Sequence, residues 1–256
     1  MLTGALYPAD VTTFADLLSR RIRDDPGRPL VTFYDLSSGE RVELSVTTYA
    51  NWVAKTASLL AEEHDLERGQ SLCVDLPAHW LGPVFLGAAW AVGLVVTSPE
   101  DALVDRQSPD AVVCGPDGLE RWAPYADEIP VLACALLPLG VRFAEPLPPG
   151  VHDVGVEVWS QPDAFTAWDP PTAADRATGP SYGGATQGET WRTAAAGSLL
   201  TDGGRLLTEA NPASPPGLAT FTEPLVRDGS LVLVTHAGPG RLETTYAAER
   251  ATARFP

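Results

Sequence analysis

Residues 177–192, ATGPSYGGATQGETWR, hold the side chains of this chain best suited to chemistry, and the glycines among them allow two kinds. Gly179 to Gly183 satisfies G-x-S-x-G, the pattern that sets a serine on a sharp strand-to-helix turn and exposes its Oγ to a substrate carbonyl. The chain order Ser181, then Asp202 or Asp228, then His236 is the order in which an α/β-hydrolase supplies nucleophile, acid and base. Alternatively, the backbone N–H groups around Ser181, Gly183, Gly184, Thr186 and Gly188 would receive a phosphate, with Arg192 as the neighbouring cation.

Each reading makes a demand on the flanks. An elbow needs a buried strand ahead of it, whereas DPPTAADRAT is polar and proline-rich, and in a chain with 23 glycines the pattern arises readily by chance. His236 follows the apolar run LVLV and reads as an ordinary strand-end residue. A phosphate loop wants a flexible cation, but Lys55 is the only lysine, placed far upstream on a helix where a solvated surface charge is the plainer role. Arg192 falls inside a predicted helix. No catalytic residue is therefore expected, and the loop is read as vestigial.

Other chemistries find less support. Cys73, Cys114 and Cys134 each sit in an apolar run, an odd number without C-x-x-C spacing, which fits reduced buried thiols. The four scattered histidines, His64, His79, His152 and His236, form no metal-ligand spacing, so no metal is expected. The formal charge of −16 over 256 residues repels a phosphate backbone and argues against nucleic acid. HAGPGRLE lacks the full dinucleotide spacing G-x-G-x-x-G. Leu76 to Pro99 is uncharged and long enough to span a bilayer, but Pro77, Pro83 and Gly93 divide it into a buried helix and a strand. The first residues, MLTGALYPADVTT, have neither a basic start nor a long apolar core, so a signal peptide is not expected and a cytoplasmic location is.

The elements that must position these residues follow from periodicity. TTFADLLSRRIRDDPG places Phe14, Leu17, Leu18 and Ile22 on one helical face behind a threonine cap. PLVTFYDLSSGERVELS reads as a hairpin, and SVTTYANWVAKTASLLAEEHDLERG places Tyr49, Val53, Leu59 and Leu60 on one helical face with acidic residues towards its end. QSLCVDLP, LVVTS, DAVVCG and IPVLACALLP are strands apolar throughout, with HWLGPVFLGAAWAVG and PDGLERWAPYAD as helices between them. In VHDVGVEVWSQPDAF, strand and helix stay equally open. ETWRTAAAGSLLTDGG predicts a helix closed by Gly203 and Gly204. RLLTE and SLVLVTH are strands around the helix GLATFTEPLVRDG, and GRLETTYAAERAT predicts a helix running almost to the end. Alternating helices and fully apolar strands predict an α/β fold of mainly parallel sheets flanked by helices. The expected organisation is an N-terminal α/β subdomain over 1–137, an irregular connection over 138–180, and a second α/β portion over 181–256 packed on the first.

That order of elements resembles the N-terminal part of adenylate-forming enzymes, the AMP-dependent synthetase and ligase superfamily that includes acyl-CoA synthetases. The resemblance rests on SSGERVELSVTTYANWVAKTASLLAEE, RGQSLCVDLPAHW and VGLVVTSP, and again on GGRLLTEANPASPPGLATFTEPLVRDGSLVLV. It is nearest to a set of short actinobacterial members. Such enzymes carry a loop of the form YTSGTTG.PKG that handles ATP phosphates, and a second lysine on a C-terminal domain. In one alignment Tyr182, Thr186 and Gly188 match that loop, but Gly184 and Ala185 replace its Ser-Gly pair, Gln187 replaces a threonine, and Trp191 stands in the lysine's place. In the alignment that spares enough residues for the following helix, Thr186 starts that helix and only GPSYGG remains of the loop. The family's YG.TE motif, its ribose-binding aspartate and its C-terminal domain have no counterpart.

The resemblance thus implies a truncated homologue without adenylation activity, a binding or regulatory module with no cofactor, acting through a homo-oligomer or a protein partner. The alternatives are an atypical ATP-dependent carboxylate-activating ligase completed by a partner chain, with ATP, AMP or CoA as its ligands, a serine hydrolase using Ser181, or a pure scaffold.

Overall fold

The computed structural model describes residues 13–101 and 108–256. The signal-peptide reading of the first residues therefore falls almost wholly outside the described residues.

Two five-stranded sheets carry the fold. One has the order β4-β3-β5-β6-β7, built from Val95–Thr97, Ser71–Asp75, Ala111–Cys114, Val131–Ala133 and Val151–Asp153, all pairs parallel. The other has the order β10-β8-β9-β1-β2, built from Ala253–Phe255, Arg205–Thr208, Ser230–Thr235, Pro29–Asp35 and Glu40–Ser45. Its strands are parallel except for the β1–β2 hairpin. The hairpin and the three late strands thus share a sheet, although the connection over 138–180 separates them in sequence.

Helix α1, Phe14–Asp24, begins where expected, because Thr13 and Asp16 form a reciprocal capping box. Its inner face differs from the predicted one. Ile22 is 39% exposed, and Arg21, at 3%, is taken inside instead. The helix Ala219–Val226 ends against α1, and its last carbonyls have no intrahelical donors. Arg21 Nη1 donates to Pro224 O and Leu225 O at 3.2 and 3.1 Å, and Nη2 to Gly229 O at 3.0 Å.

Helix α2, Val46–Ser58, gives way to a π-turn over Leu59–Glu63 rather than continuing as an α-helix. Helix α3, Leu81–Val92, is buried on almost every side and closes at Gly93 in the left-handed conformation, as its sequence predicts. Phe14, Trp90 and Trp191 form an aromatic cluster with ring centroids 5.1 to 6.1 Å apart, joining α1, α3 and the helix Gln187–Ala196. At their centre the fully buried Gln187 accepts from Phe14 N and donates to Trp90 O, both at 2.9 Å.

The helix Gln187–Ala196 stops at Gly197, short of the predicted Gly203–Gly204. Arg227 Nη2 takes the Ala195 carbonyl at 2.9 Å, and Glu223 Oε2 accepts from Leu199 N at 2.8 Å, so tertiary partners end it early. The final helix likewise ends at Ala248, and the chain turns into β10, a strand the sequence did not announce. In the 138–180 stretch both open readings are realised: β7 is followed at once by the short helix Val154–Glu157. All three cysteines are buried free thiols, and burial pushes each thiol up. Among the described residues no helix is long and apolar enough to cross a membrane.

Candidate functional site

The glycine-rich stretch is a compact closed turn. Gly179 N donates to Val96 O at 2.7 Å, Gly184 N to Gly179 O at 2.9 Å, and Ala185 N to Thr178 Oγ1 at 2.9 Å. Between these ties Pro180–Tyr182 make a single 3-10 turn, and Gly183, with φ of 92°, reverses the chain. Thr186 then caps the Gln187–Ala196 helix through a capping box with Glu189, as the alignment that begins the helix there predicts.

The donors of this turn are already occupied. Ser181 N and Ser181 Oγ donate to the two oxygens of Asp101 at 2.8 and 2.7 Å, and Ser98 N donates to Asp101 Oδ2 at 2.9 Å. Ser98 Oγ completes the group with a bond to Ser181 Oγ at 3.0 Å. Asp101 is only 8% exposed, so a carboxylate of the chain itself fills the place in which an amide cradle would receive a phosphate. Nearby, Gly183 is exposed and Gly188 is packed in the helix's first turn against Ala173. Arg192 is exposed on that helix beside Glu189, while Trp191, in the place of the family lysine, is buried in the aromatic cluster. Lys55 departs from its predicted role as a solvated charge. It donates to Gln161 O and pairs with Asp163 at 3.1 Å, tying α2 to the connecting stretch.

The hydrolase candidates are each held elsewhere. Asp202 pairs with Arg227 at 2.9 Å, and Asp228 with Arg20 and Arg21 at 3.3 and 3.5 Å. His236 contacts Asp35 through Nδ1 at 2.8 Å. Ser181 meets an aspartate directly, with no imidazole between them to take its proton.

A cavity of about 700 Å³ opens at the carboxyl ends of β3 and β4, the position at which open α/β sheets receive ligands. Asp75 ends β3, and its Oδ2 accepts from Trp122 Nε1 at 2.7 Å and Arg121 Nη1 at 2.9 Å. Opposite lies the loop after β8, fastened by Asn211 Nδ2 donating to Leu76 O at 2.7 Å. Val74, Leu76, Ile129 and Pro215 make much of the wall apolar, and the closed turn approaches through Ser98 and Pro99. Asp75 and Glu100 face the space with Arg121, so the described wall offers no excess of positive charge to a polyanion. Asp75 could have been found from the sequence, as the polar end of the apolar run SLCVD. Asn211 and Arg121 carried no signal of their own.

A second cleft of about 420 Å³ lies between the ends of β1 and β9 and the residues after β3. Two of its side chains keep a buried polar atom without a partner, Glu40 Oε1 and His79 Nε2. Burial pushes the Glu40 carboxyl up, with Asp35 adding to it, and pushes the His79 imidazole from 6.5 down to about 4. Unfolded chains bind the His79 proton near pH 6.5 and folded ones only near 4. Stability is therefore expected to fall as pH drops through that window, by roughly 3 kcal/mol from this group. Urea unfolding at pH 7 and pH 4.5 checks this: His79→Leu should flatten the difference between the two pH values, and an unchanged difference would refute the assignment.

Comparison with known proteins places the architecture. No established family profile matches the chain. An acyl-CoA synthetase from Brucella canis superposes with a TM-score of 0.73 over 94% of this chain and 46% of its own, at 16% identity. An O-succinylbenzoate coenzyme A synthetase from Bacillus subtilis, solved in complex with ATP and magnesium ion, gives 0.70 over 93% of this chain and 62% of its own, at 13% identity. The fold is that of the adenylate-forming synthetases, over roughly half the length of those proteins. At the level of sequence, a TIGR03089 family protein of Mycobacterium tuberculosis is 32% identical over 246 residues, covering 92% of this chain and 95% of the relative. The chain belongs to the TIGR03089 family.

Proposed function

We propose that this protein is a binding module on an adenylate-forming scaffold, holding a small, largely apolar molecule in the cavity at the ends of β3 and β4 and carrying out no adenylation. One observation carries the reading: the Asp101 carboxylate occupies the Ser181 and Ser98 donors. ATP would have to expel a buried carboxylate to use them, bringing negative charge beside Asp75 and Glu100. No ATP, AMP or CoA is assigned, and no catalytic residue. A carboxylic acid with an apolar tail fits best, its single charge within reach of Arg121, which lines the space.

Thermal-shift titration tests this. Carboxylic acids of increasing chain length are expected to raise the melting temperature, and ATP and AMP to leave it unchanged. Ile129→Trp, which enlarges a half-buried side chain of the wall, should weaken the effective acid at least about tenfold, with the melting temperature of the free variant as the folding control. Carboxylate-dependent pyrophosphate release by the wild-type chain would overturn the proposal in favour of a ligase.

A further inference from the structure

We propose that His64, His152 and Glu157 form a binding site for a divalent transition-metal ion of the zinc type, which fastens residues 151–157 to the end of α2. His64 is about 90 residues from the other two and the three belong to different elements, yet their ligand atoms all lie within 4.8 Å of one another. Glu157 Oε2 is 3.0 Å from His64 Nε2, and Glu157 Oε1 is 2.9 Å from His152 Nδ1. The two imidazole rings meet edge to face at 4.4 Å. Tetrahedral bonds of about 2.0–2.2 Å hold neighbouring donors roughly 3.4 Å apart, so opening these contacts by a few tenths of an ångström admits an ion.

The donor set suits that ion. Two imidazole nitrogens and one carboxylate match zinc and its neighbours, not calcium or magnesium, which want oxygen alone. The imidazoles must be neutral to ligate, and burial with His152 alongside already lowers the pKa of His64.

The site is also built. His64 directly follows the π-turn Leu59–Glu63, a rare helical form that concentrates at functional sites, and its side chain is 5% exposed. On the other side, Asp153 caps the Val154–Glu157 helix through Gly155 N and accepts from Phe143 N, both at 2.9 Å. A Cβ at Gly155 would meet Arg142 N at 2.5 Å, so the turn presenting His152 and Glu157 is tightly seated. His152, 39% exposed, leaves an entry path and a fourth position for water.

The test uses the full chain without an affinity tag, stripped with chelator and titrated with Zn²⁺ by calorimetry and with Co²⁺ by visible absorption. One equivalent of either metal should bind, Co²⁺ should give the d–d bands of a low-coordinate site, and saturating Zn²⁺ should raise the melting temperature by roughly 5 °C or more. His152→Ala, at a partly exposed position, should weaken Zn²⁺ at least about 100-fold, beyond the loss of a merely supporting residue. Its metal-free melting temperature serves as the folding control. Absence of a bound equivalent, or unchanged affinity in His152→Ala, would leave the three residues as a hydrogen-bonded clamp and end the proposal.

Discussion

Asp101→Ala is expected to cost about 3 kcal/mol and to make the loss recoverable by inorganic phosphate. The carboxylate receives Ser181 N, Ser181 Oγ and Ser98 N in a nearly dry setting. Its removal leaves two backbone N–H groups unpaired, at roughly 1–3 kcal/mol each when buried. The melting temperature should fall by about 10 °C in a protein of this size. The vacated space then holds two amides and a hydroxyl with no acceptor, which is an anion site. Phosphate or sulfate should raise the variant's melting temperature by several degrees and leave the wild type unmoved.

Ser181→Ala keeps the backbone bond from Ser181 N to Asp101 and loses only the hydroxyl's two bonds, to Asp101 and from Ser98 Oγ, and should cost about 1–2 kcal/mol. If phosphate stabilised wild type and variant equally, Asp101 would not be competing with an anion, and the central argument for a non-adenylating protein would fall with it.

Asp101 also marks where sequence reading ran out. Thr186 was legible as a helix start through the alignment that leaves enough residues for the following helix, and the Thr186–Glu189 capping box gives that start its physical cause. The hairpin, α3 with its Gly93 stop, and the apolar strands were legible from local pattern. Asp101 acts on Ser181 across 80 residues, and nothing in TSPED distinguishes it from a surface acid. His64 and His152 likewise become neighbours only when β7 adds to the sheet edge, so local spacing could not reveal them. Tertiary partners explain the remaining departures. Glu223 and Arg227 stop a helix that its own residues would continue, and β10 pairs with β8 over three residues too few to show a period.

Arg21→Met is expected to lose about 4 kcal/mol in urea unfolding, the largest single effect outside the apolar core. Burial lowers the Arg21 pKa to about 10, which still leaves it charged at neutral pH. Its guanidinium satisfies three carbonyls, Pro224 O, Leu225 O and Gly229 O, where the Ala219–Val226 helix turns into β9. Methionine fills comparable volume and supplies none of those donors; Pro224 O keeps its bond from Gly229 N at 2.8 Å, so the cost is mainly that of the Leu225 and Gly229 carbonyls left without the guanidinium. Arg21→Lys offers a single ammonium in place of a planar fork and should recover no more than about half.

The neighbouring ion pair separates two explanations. Asp228 lies 3.5 Å from Arg21 but is half exposed, and such a pair is worth about 0–1 kcal/mol. Asp228→Asn should therefore change stability by less than about 1 kcal/mol. If it cost as much as Arg21→Met, charge pairing and not carbonyl capping would hold α1 in place. The capping account further requires that α1 be fixed independently at its other end, where Gln187 Oε1 receives Phe14 N. Gln187→Leu should then add its own loss of about 2 kcal/mol to that of Arg21→Met, because the two sites share no partner.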